Sequence, residues 1–294
     1  MKKLTFLAIV LTLLLGTYSC DLLTVSLEEQ AYPTKYPSLD MAELVALNAE
    51  YKKENNGRLC STLNEYGFTG FSEVLFEDGK NPCERVNRDV VRIGIDNTDT
   101  LLAAAKRVIV QNSKYTGVND SSELVLEEML PQPGCINCGR PDEYSADIEW
   151  KLTFENQLID STEVMDTEIT VFIDAKGVNR IWGNWYPDLE VPDFVNFGYL
   201  EVQEGMVGWE IDMTEYYGEE FIYTVQEGDL TEIPQKVYLP IKSDSGNELE
   251  VRTCWAVSIN TVNLNFPGWI AYIDIEEGFL VDLVSKQVEF QQKN

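Results

Sequence analysis

The chain of 294 residues has a formal net charge of −28 at pH 7, because 50 Asp and Glu face only 22 Lys and Arg. A surface this acidic repels phosphate backbones, which argues against nucleic-acid binding, and 44% hydrophobic residues suffice for a folded core. The absence of histidine excludes Ser-His-Asp and Cys-His catalysis and histidine-ligated zinc. The acidity itself fits a well-solvated surface, a basic partner or a divalent cation.

The N-terminal stretch up to Cys20 carries the pattern of a secretion signal. Two lysines precede a mostly apolar run, Leu4–Leu15, which is shorter than the roughly 20 apolar residues of a membrane-spanning helix. Cys20 resembles the acylated cysteine of bacterial lipoproteins, although Thr17 stands where such signals usually carry leucine. We therefore expect a signal peptide over residues 1–19, a lipid on Cys20, and a cell-envelope protein anchored to a bacterial membrane.

The segment after the anchor lacks a clear period. We expect residues 20–37 to form a tether, because two Tyr-Pro pairs within it disfavour helix. No acidic run follows the lipidated cysteine, which favours an anchor facing the periplasm. Ser38 or Asp40 can cap a helix over about Met41–Glu54, which Asn55-Asn56-Gly57 would end.

Five cysteines remain after the lipidated one, an odd number for an oxidising compartment. The simplest pairing joins Cys60 to Cys83 and Cys135 to Cys138, and leaves Cys254 as a buried, inert thiol. The Cys-x-x-Cys spacing of the second pair also fits a redox motif, but the Gly and Pro residues around it favour a loop staple. A zinc site built from the four paired cysteines is the remaining alternative.

From residue 89 onward the periodicity predicts an α+β fold. The elements expected in the first unit are a strand at Val90–Ile95, a helix from Thr98 or Asp99 to about Thr116, a strand from Leu124 to Pro131, alternating strands around Trp150–Phe154 and Ile169–Ile173, and a return strand at Val178–Trp182. The last two strands join through Asp174-Ala175-Lys176-Gly177, whose Gly can adopt positive φ.

The same pattern occurs a second time near the C-terminus. Trp255, Val257 and Ile259 alternate as in the earlier Trp-led strand, and Tyr272-Ile273-Asp274 precedes a turn with Gly278. We therefore expect two tandem units, each a helix plus an antiparallel meander, over residues 89–190 and 191–294. A short helical, cysteine-stapled segment, 38–88, would precede them.

The stretch Phe154–Gly177 resembles the FTP module, which precedes the catalytic domain of thermolysin-like peptidases. The C-terminal strands Cys254–Ile259 and Trp269–Asp274 resemble the related PepSY module. The positions that match the motifs of these families are Gln157, Asp160, Val164, Glu168, Asp174, Gly177 and Asp274. The resemblance implies an α+β fold and a binding role, since such modules act as chaperones or inhibitors of peptidases.

No peptidase domain follows these modules in the sequence. We therefore expect a non-enzymatic protein without cofactor or metal, attached to the membrane through its lipid, which binds a protein partner. If that partner is an extracytoplasmic peptidase, the protein would act on it in trans as an inhibitor or chaperone.

The aromatic cluster Trp182, Trp185 and Tyr186 leaves an alternative open. Aromatic side chains in loops can anchor a partner or stack on sugars, or they can fill the space between packed layers. The sequence is therefore also compatible with a glycan-binding or carboxylate-based glycan-processing lipoprotein. Further aromatic residues follow at Trp209, Tyr216 and Tyr217.

Asp174 and Asp274 each precede a predicted turn, where they could act either as turn caps or as calcium ligands.

Overall fold

The computed structural model describes residues 32–76, 83, 98–189, 191–192, 195–243, 246–261 and 266–286. The expected signal peptide, Cys20 and the strand expected at Val90–Ile95 lie outside these ranges. The described part is an α+β fold with few helices and mostly antiparallel sheets, which confirms the expected class. No helix of this part is both long and apolar enough to cross a membrane.

The α-helices of the described ranges are short. They are α1 (Met41–Glu54), α2 (Thr98–Gln111), α3 (Ser113–Thr116), α4 (Tyr199–Met206) and α5 (Thr214–Tyr217). Helix α1 begins where the sequence predicts, because Asp40 and Glu43 form a reciprocal capping box. Helix α2 buries Ala105 and Ile109 in the core of the first sheet and ends at Gln111, before the separate turn of α3.

The strands form two main sheets and two short ribbons. Their bounds are β1 (Thr34–Pro37), β2 (Thr62–Leu63), β3 (Thr69–Gly70), β4 (Leu126–Ile136), β5 (Tyr144–Phe154), β6 (Leu158–Ile159), β7 (Thr162–Val164), β8 (Ile169–Asp174), β9 (Gly177–Trp182), β10 (Glu210–Asp212), β11 (Ile222–Thr224), β12 (Gln235–Lys242), β13 (Glu248–Ile259), β14 (Trp269–Asp274) and β15 (Leu280–Ser285). The first main sheet is the antiparallel meander β4-β5-β8-β9.

The second main sheet has seven strands in the order β15-β14-β13-β12-β7-β6, with β1 also paired to β13. β1 lies in line with β14, because it pairs with Glu248–Val251 while β14 pairs with Cys254–Ile259. The hairpin β6–β7 joins the sheet through a parallel pairing of β7 with β12. This sheet therefore combines strands from three separate parts of the chain.

Two sequence-based expectations require correction here. Residues 34–37, expected in the tether, form β1, because their backbone pairs with β13. The strand expected to stop at Pro131 continues as β4 to Ile136. It tolerates Pro131 and Pro133 because it is an edge strand, whose outer backbone groups need no partner.

The pairing of β5 with β8 in the first main sheet has the same register as the pairing of β13 with β14 in the second. Trp150 lies opposite Ile173 in the first sheet, and Trp255 lies opposite Ile273 in the second. The register shifts just before each of these isoleucines, where β8 meets β9 and where β14 meets β15. The sequence similarity between the two stretches thus corresponds to the same local geometry.

Four apolar clusters hold these elements together. The largest joins α1, α2 and the first sheet, and a second packs Val202 and Met206 of α4 on the second sheet. A third cluster joins segments that are distant in sequence, because it contains Phe68, Tyr186 and Tyr238. The fourth cluster lies on the other face of the second sheet, around Cys254.

Candidate functional site

The family-motif positions of the first unit hold its backbone in place. The Gln157 side chain accepts from the Tyr186 backbone N–H at 2.8 Å and donates to the Tyr186 carbonyl at 3.0 Å. Val164 is fully buried, and Glu168 is exposed just before β8. These contacts give the matched residues a structural role in this chain.

A tight hairpin turn joins β6 to β7. Asp160 and Ser161 adopt φ values of 48° and 68°, as the two central residues of a tight hairpin turn require. Ser161 therefore occupies a left-handed conformation that usually favours glycine or asparagine.

Asp174 and Asp274 are turn caps, and each also binds an arginine. The Asp174 carboxylate accepts from the Lys176 backbone N–H at 2.8 Å and forms an ion pair with Arg58. Asp274 accepts from the backbone of Glu276 at 2.8 Å and pairs with Arg252 at 3.0 Å. Among the described residues, no three His, Cys, Asp or Glu side chains are grouped to hold a metal ion.

Tyr32 joins β1 to the end of β14 through its hydroxyl. That hydroxyl accepts from the Thr253 backbone N–H at 3.0 Å and donates to the Asp274 carboxylate at 2.8 Å. Thr253 lies in the gap between the segments of β13 that pair with β1 and β14. Burial, followed by the hydrogen bond to Asp274, raises the pKa of Tyr32 well above its usual range, so the hydroxyl stays protonated.

The aromatic residues expected as partner anchors are mostly internal. Trp185 and Tyr186 are 4% and 8% exposed, and Tyr186 packs against Tyr36 and Phe68. Burial raises the pKa of Tyr186 to about 12. The half-buried Trp182 lies beside Phe172, whose ring carries the Arg180 guanidinium at 3.9 Å.

These contacts correct the assignment of this cluster as a binding surface. Tyr186 packs against β1 and the N-terminal segment, and Trp185 packs in the core of the first sheet, so these two rings are used for internal packing. The aromatic cluster therefore does not provide the exposed surface on which the glycan-binding hypothesis rests.

The cysteines pair as the sequence predicts. Cys60 bonds to Cys83 and Cys135 to Cys138, so these four thiols are not available as zinc ligands. Cys135 is in a strand and not at a helix N-terminus, which removes the dipole that activates a redox cysteine. Cys254 is free and buried, and burial raises the pKa of its thiol, as expected for an inert group.

The free edges of the two main sheets differ in their protection. Strand β9 is covered, because the Cys60 N–H donates to the Asn179 carbonyl at 2.8 Å and the Ile181 N–H to the Ser61 hydroxyl at 3.2 Å. Strand β4 carries two prolines, and its pairing with β5 shifts register twice. Strands β1 and β6 are only four and two residues long. Each of these edges is a poor template for another strand.

Strand β15 carries one bulge, at Val281, but neither a proline nor a covering segment in the described structure. It is six residues long, contains no proline, and pairs with β14 on one side. Leu280 and Val284 are 41% and 45% exposed, and Phe279 just before the strand is 43% exposed. An exposed apolar edge of this kind can accept an additional strand from another protein.

Sequence reasoning misses two surface features. The predicted turn with Gly278 leads into β15, but the edge position of this strand depends on pairings that are distant in sequence. Tyr216 and Phe266 line a cavity of about 540 Å³ with Trp269, although the first two lie far apart in the chain. The only sequence signal for that cavity is the aromatic and acidic stretch around Tyr216.

Comparisons with known proteins leave the family open. No family model matches the chain, and no curated protein matches it. Among solved structures, it is similar to the Bacillus megaterium YpeB C-terminal domain at 12% sequence identity, with 69% of this chain and 70% of that chain covered and a TM-score of 0.28. Because a TM-score this low supports no functional argument, the function is argued from the surfaces of this chain.

Proposed function

We propose that this protein is a lipid-anchored binding protein of a bacterial cell envelope that holds an extended segment of a partner protein along β15. The observation that carries the proposal is the contrast between β15 and the other sheet edges of the described structure. Four of those edges are covered, proline-containing or very short, whereas β15 exposes Leu280 and Val284. Protected edges prevent unspecific pairing, and among the described edges of the two main sheets they leave β15 for a partner.

The chemistry of β15 indicates what the partner segment contains. Backbone hydrogen bonds would supply affinity without regard to sequence, and side chains next to Leu280 and Val284 would supply specificity. Asp282 lies between them and is exposed. A segment with alternating apolar residues and a basic residue opposite Asp282 fits this edge best.

We infer that the two meanders are copies of one FTP/PepSY-like unit. The shared registers of Trp150 with Ile173 and of Trp255 with Ile273 support this inference. The partner class then follows from the resemblance, as an extracytoplasmic peptidase that the protein inhibits or assists in trans. The signal sequence and Cys20 support the proposed location.

The test is site-specific photo-crosslinking of the full-length lipoprotein in intact cells. A photoreactive residue at Val284 should capture one dominant envelope protein, identified by mass spectrometry. The matched control carries the same residue at Leu130, which is 41% exposed on the protected edge β4. The control should capture this protein weakly or not at all.

A second variant checks that backbone pairing is responsible. Leu280→Pro removes an N–H and stiffens the strand at its start, so capture through Val284 should fall strongly. Equal capture from Val284 and Leu130, or capture at Val284 of only a second copy of this chain, would refute the proposal. Recovery of cell-wall or polysaccharide enzymes would instead support the glycan alternative.

A further inference from the structure

A cavity of about 540 Å³ lies beside the second sheet, at the side opposite to the Cys254 cluster. We call it the aromatic pocket and define it by Asp212, Glu215, Tyr216, Phe266, Trp269 and Lys286. It brings together α5, the end of β10, and the residues next to β14 and β15. The proposed pairing of a partner segment with β15 does not depend on the aromatic pocket.

The walls of the aromatic pocket are rings that support one another. Tyr216 meets Phe266 edge-on with ring centres 4.9 Å apart, and Phe266 lies 4.6 Å from Trp269. Trp269 is 6% exposed, whereas Tyr216 is 58% exposed. The ring of Tyr216 is therefore accessible to a ligand at the surface of the pocket.

The charge around these rings is negative. Residues 210–220 contain five carboxylates and no lysine or arginine, and two of the five, Asp212 and Glu215, line the pocket. Hydrogen bonds from the side chain and backbone of Thr214 lower the pKa of Asp212, so this carboxylate stays charged near neutral pH.

Lys286 is the cation among the described lining residues, and other groups already bind it. Its amine donates to the Asn260 side-chain oxygen at 2.7 Å. Glu232 also interacts with Lys286 electrostatically. Glu232 therefore offsets part of its charge, and the two carboxylates of the lining outnumber this one ammonium.

We propose that the aromatic pocket binds an organic cation, namely an alkylated ammonium or guanidinium group. Aromatic faces attract such cations through the negative face of the ring, and carboxylates at the rim add direct charge attraction. A neutral sugar would gain no net charge attraction from Asp212 and Glu215, whereas an organic cation would.

The test uses the full-length protein in a polyoxyethylene detergent and isothermal titration calorimetry. Choline is titrated beside 3,3-dimethylbutan-1-ol, which has the same shape without the charge. Choline should bind about 5-fold or more tightly than this neutral analogue, since that difference reports the cation–ring attraction. Parallel titrations with the N-acetyl methylamides of lysine and arginine distinguish a free quaternary ammonium from a basic side chain as the source.

Variants assign any binding to the aromatic pocket. Tyr216→Leu and Glu215→Gln should each weaken choline binding several-fold, whereas Tyr144→Leu, which removes a 48% exposed ring from β5, should not. Circular dichroism of each variant checks that the fold is intact. Equal affinity for choline and the neutral analogue, no binding of any cation, or binding of N-acetylglucosamine oligosaccharides in their place would overturn the proposal.

Discussion

At the scale of single residues, Arg252 ties three parts of the second sheet together. Its guanidinium binds Glu250 of the same strand with distances of 2.9 and 2.7 Å, and Asp274 at the end of β14. Glu250 in turn accepts from Lys35 of β1 at 3.0 Å. The ion pairs therefore connect β1, β13 and β14 where backbone pairing changes from one strand to the other.

Glu250 should make the stability of the protein depend on pH. Burial by itself would raise the pKa of Glu250, but hydrogen bonds from Lys35 and Arg252 and their positive charges outweigh it and lower the pKa. Because the pKa of Glu250 is lower in the folded than in the unfolded protein, its negative charge stabilises the folded state above the unfolded pKa, which is near 4.3. This stabilisation is lost as the pH falls further.

At pH 7, the variant Glu250→Gln should therefore have a free energy of unfolding about 2 kcal/mol below that of the wild type, as measured by urea unfolding. The gap to the wild-type free energy of unfolding should narrow as the pH falls from 5 to 3. Glu248→Gln, which removes an ion pair with a 39% exposed carboxylate, should change stability little at either pH. A gap that stays constant with pH would contradict this role of Glu250.

At the scale of elements, β4 shows how a long edge strand is kept from pairing. Pro131 and Pro133 lie in the middle of the strand and are exposed, like the neighbouring Leu130. Each proline removes an N–H from the outer edge, so a second strand cannot form a continuous ladder there.

Replacing both prolines by threonine should remove this protection. We expect the double variant Pro131→Thr with Pro133→Thr to self-associate with rising concentration, as measured by analytical ultracentrifugation. Pro141→Thr, in the exposed turn beyond the strand, is the control and should leave the association state of the wild-type protein unchanged. A double variant that sediments like the wild type at all concentrations would show that the prolines do not guard this edge.

The sequence predicts those elements whose signals are local. Helix α1 is predictable because its capping residues and its end lie close together in the chain, and the turn of Asp174 and Gly177 because its residues are neighbours. Strand β1 escapes prediction because a four-residue strand between prolines looks like a linker until its distant partner, β13, is known. The aromatic surface is misplaced for the same reason, since sequence cannot tell an exposed Tyr216 from a buried Tyr186.

At the scale of the whole molecule, β1 belongs to the folded body. The ring of Tyr36 packs on Phe68 and Tyr186, and its hydroxyl donates to the Pro187 carbonyl at 2.7 Å. Together with Tyr32 and Lys35, these contacts join the start of the described chain to both main sheets. A soluble fragment that begins after β1 therefore lacks part of its core.

A fragment beginning at Ser38 should be less stable than one beginning at Gln30. We expect a loss of about 3 kcal/mol in the free energy of unfolding, from the lost ladder bonds and from the area that Tyr36 buries. Urea unfolding of the two fragments, with one beginning at Asp21 as the control, measures the difference. Equal stability of all three fragments would mean that β1 contributes no net stability.

The position of β1 also limits how far the protein reaches from the membrane. With the proposed lipid on Cys20, the twelve residues 20–31 can place Tyr32 at most about 40 Å from the bilayer. Within the described fold, tension on the anchor would act first on Tyr32 and the β1–β13 pairing. Release of residues 32–37 would lengthen the connection between the anchor and the fold by roughly 20 Å and leave the rest of the second sheet paired.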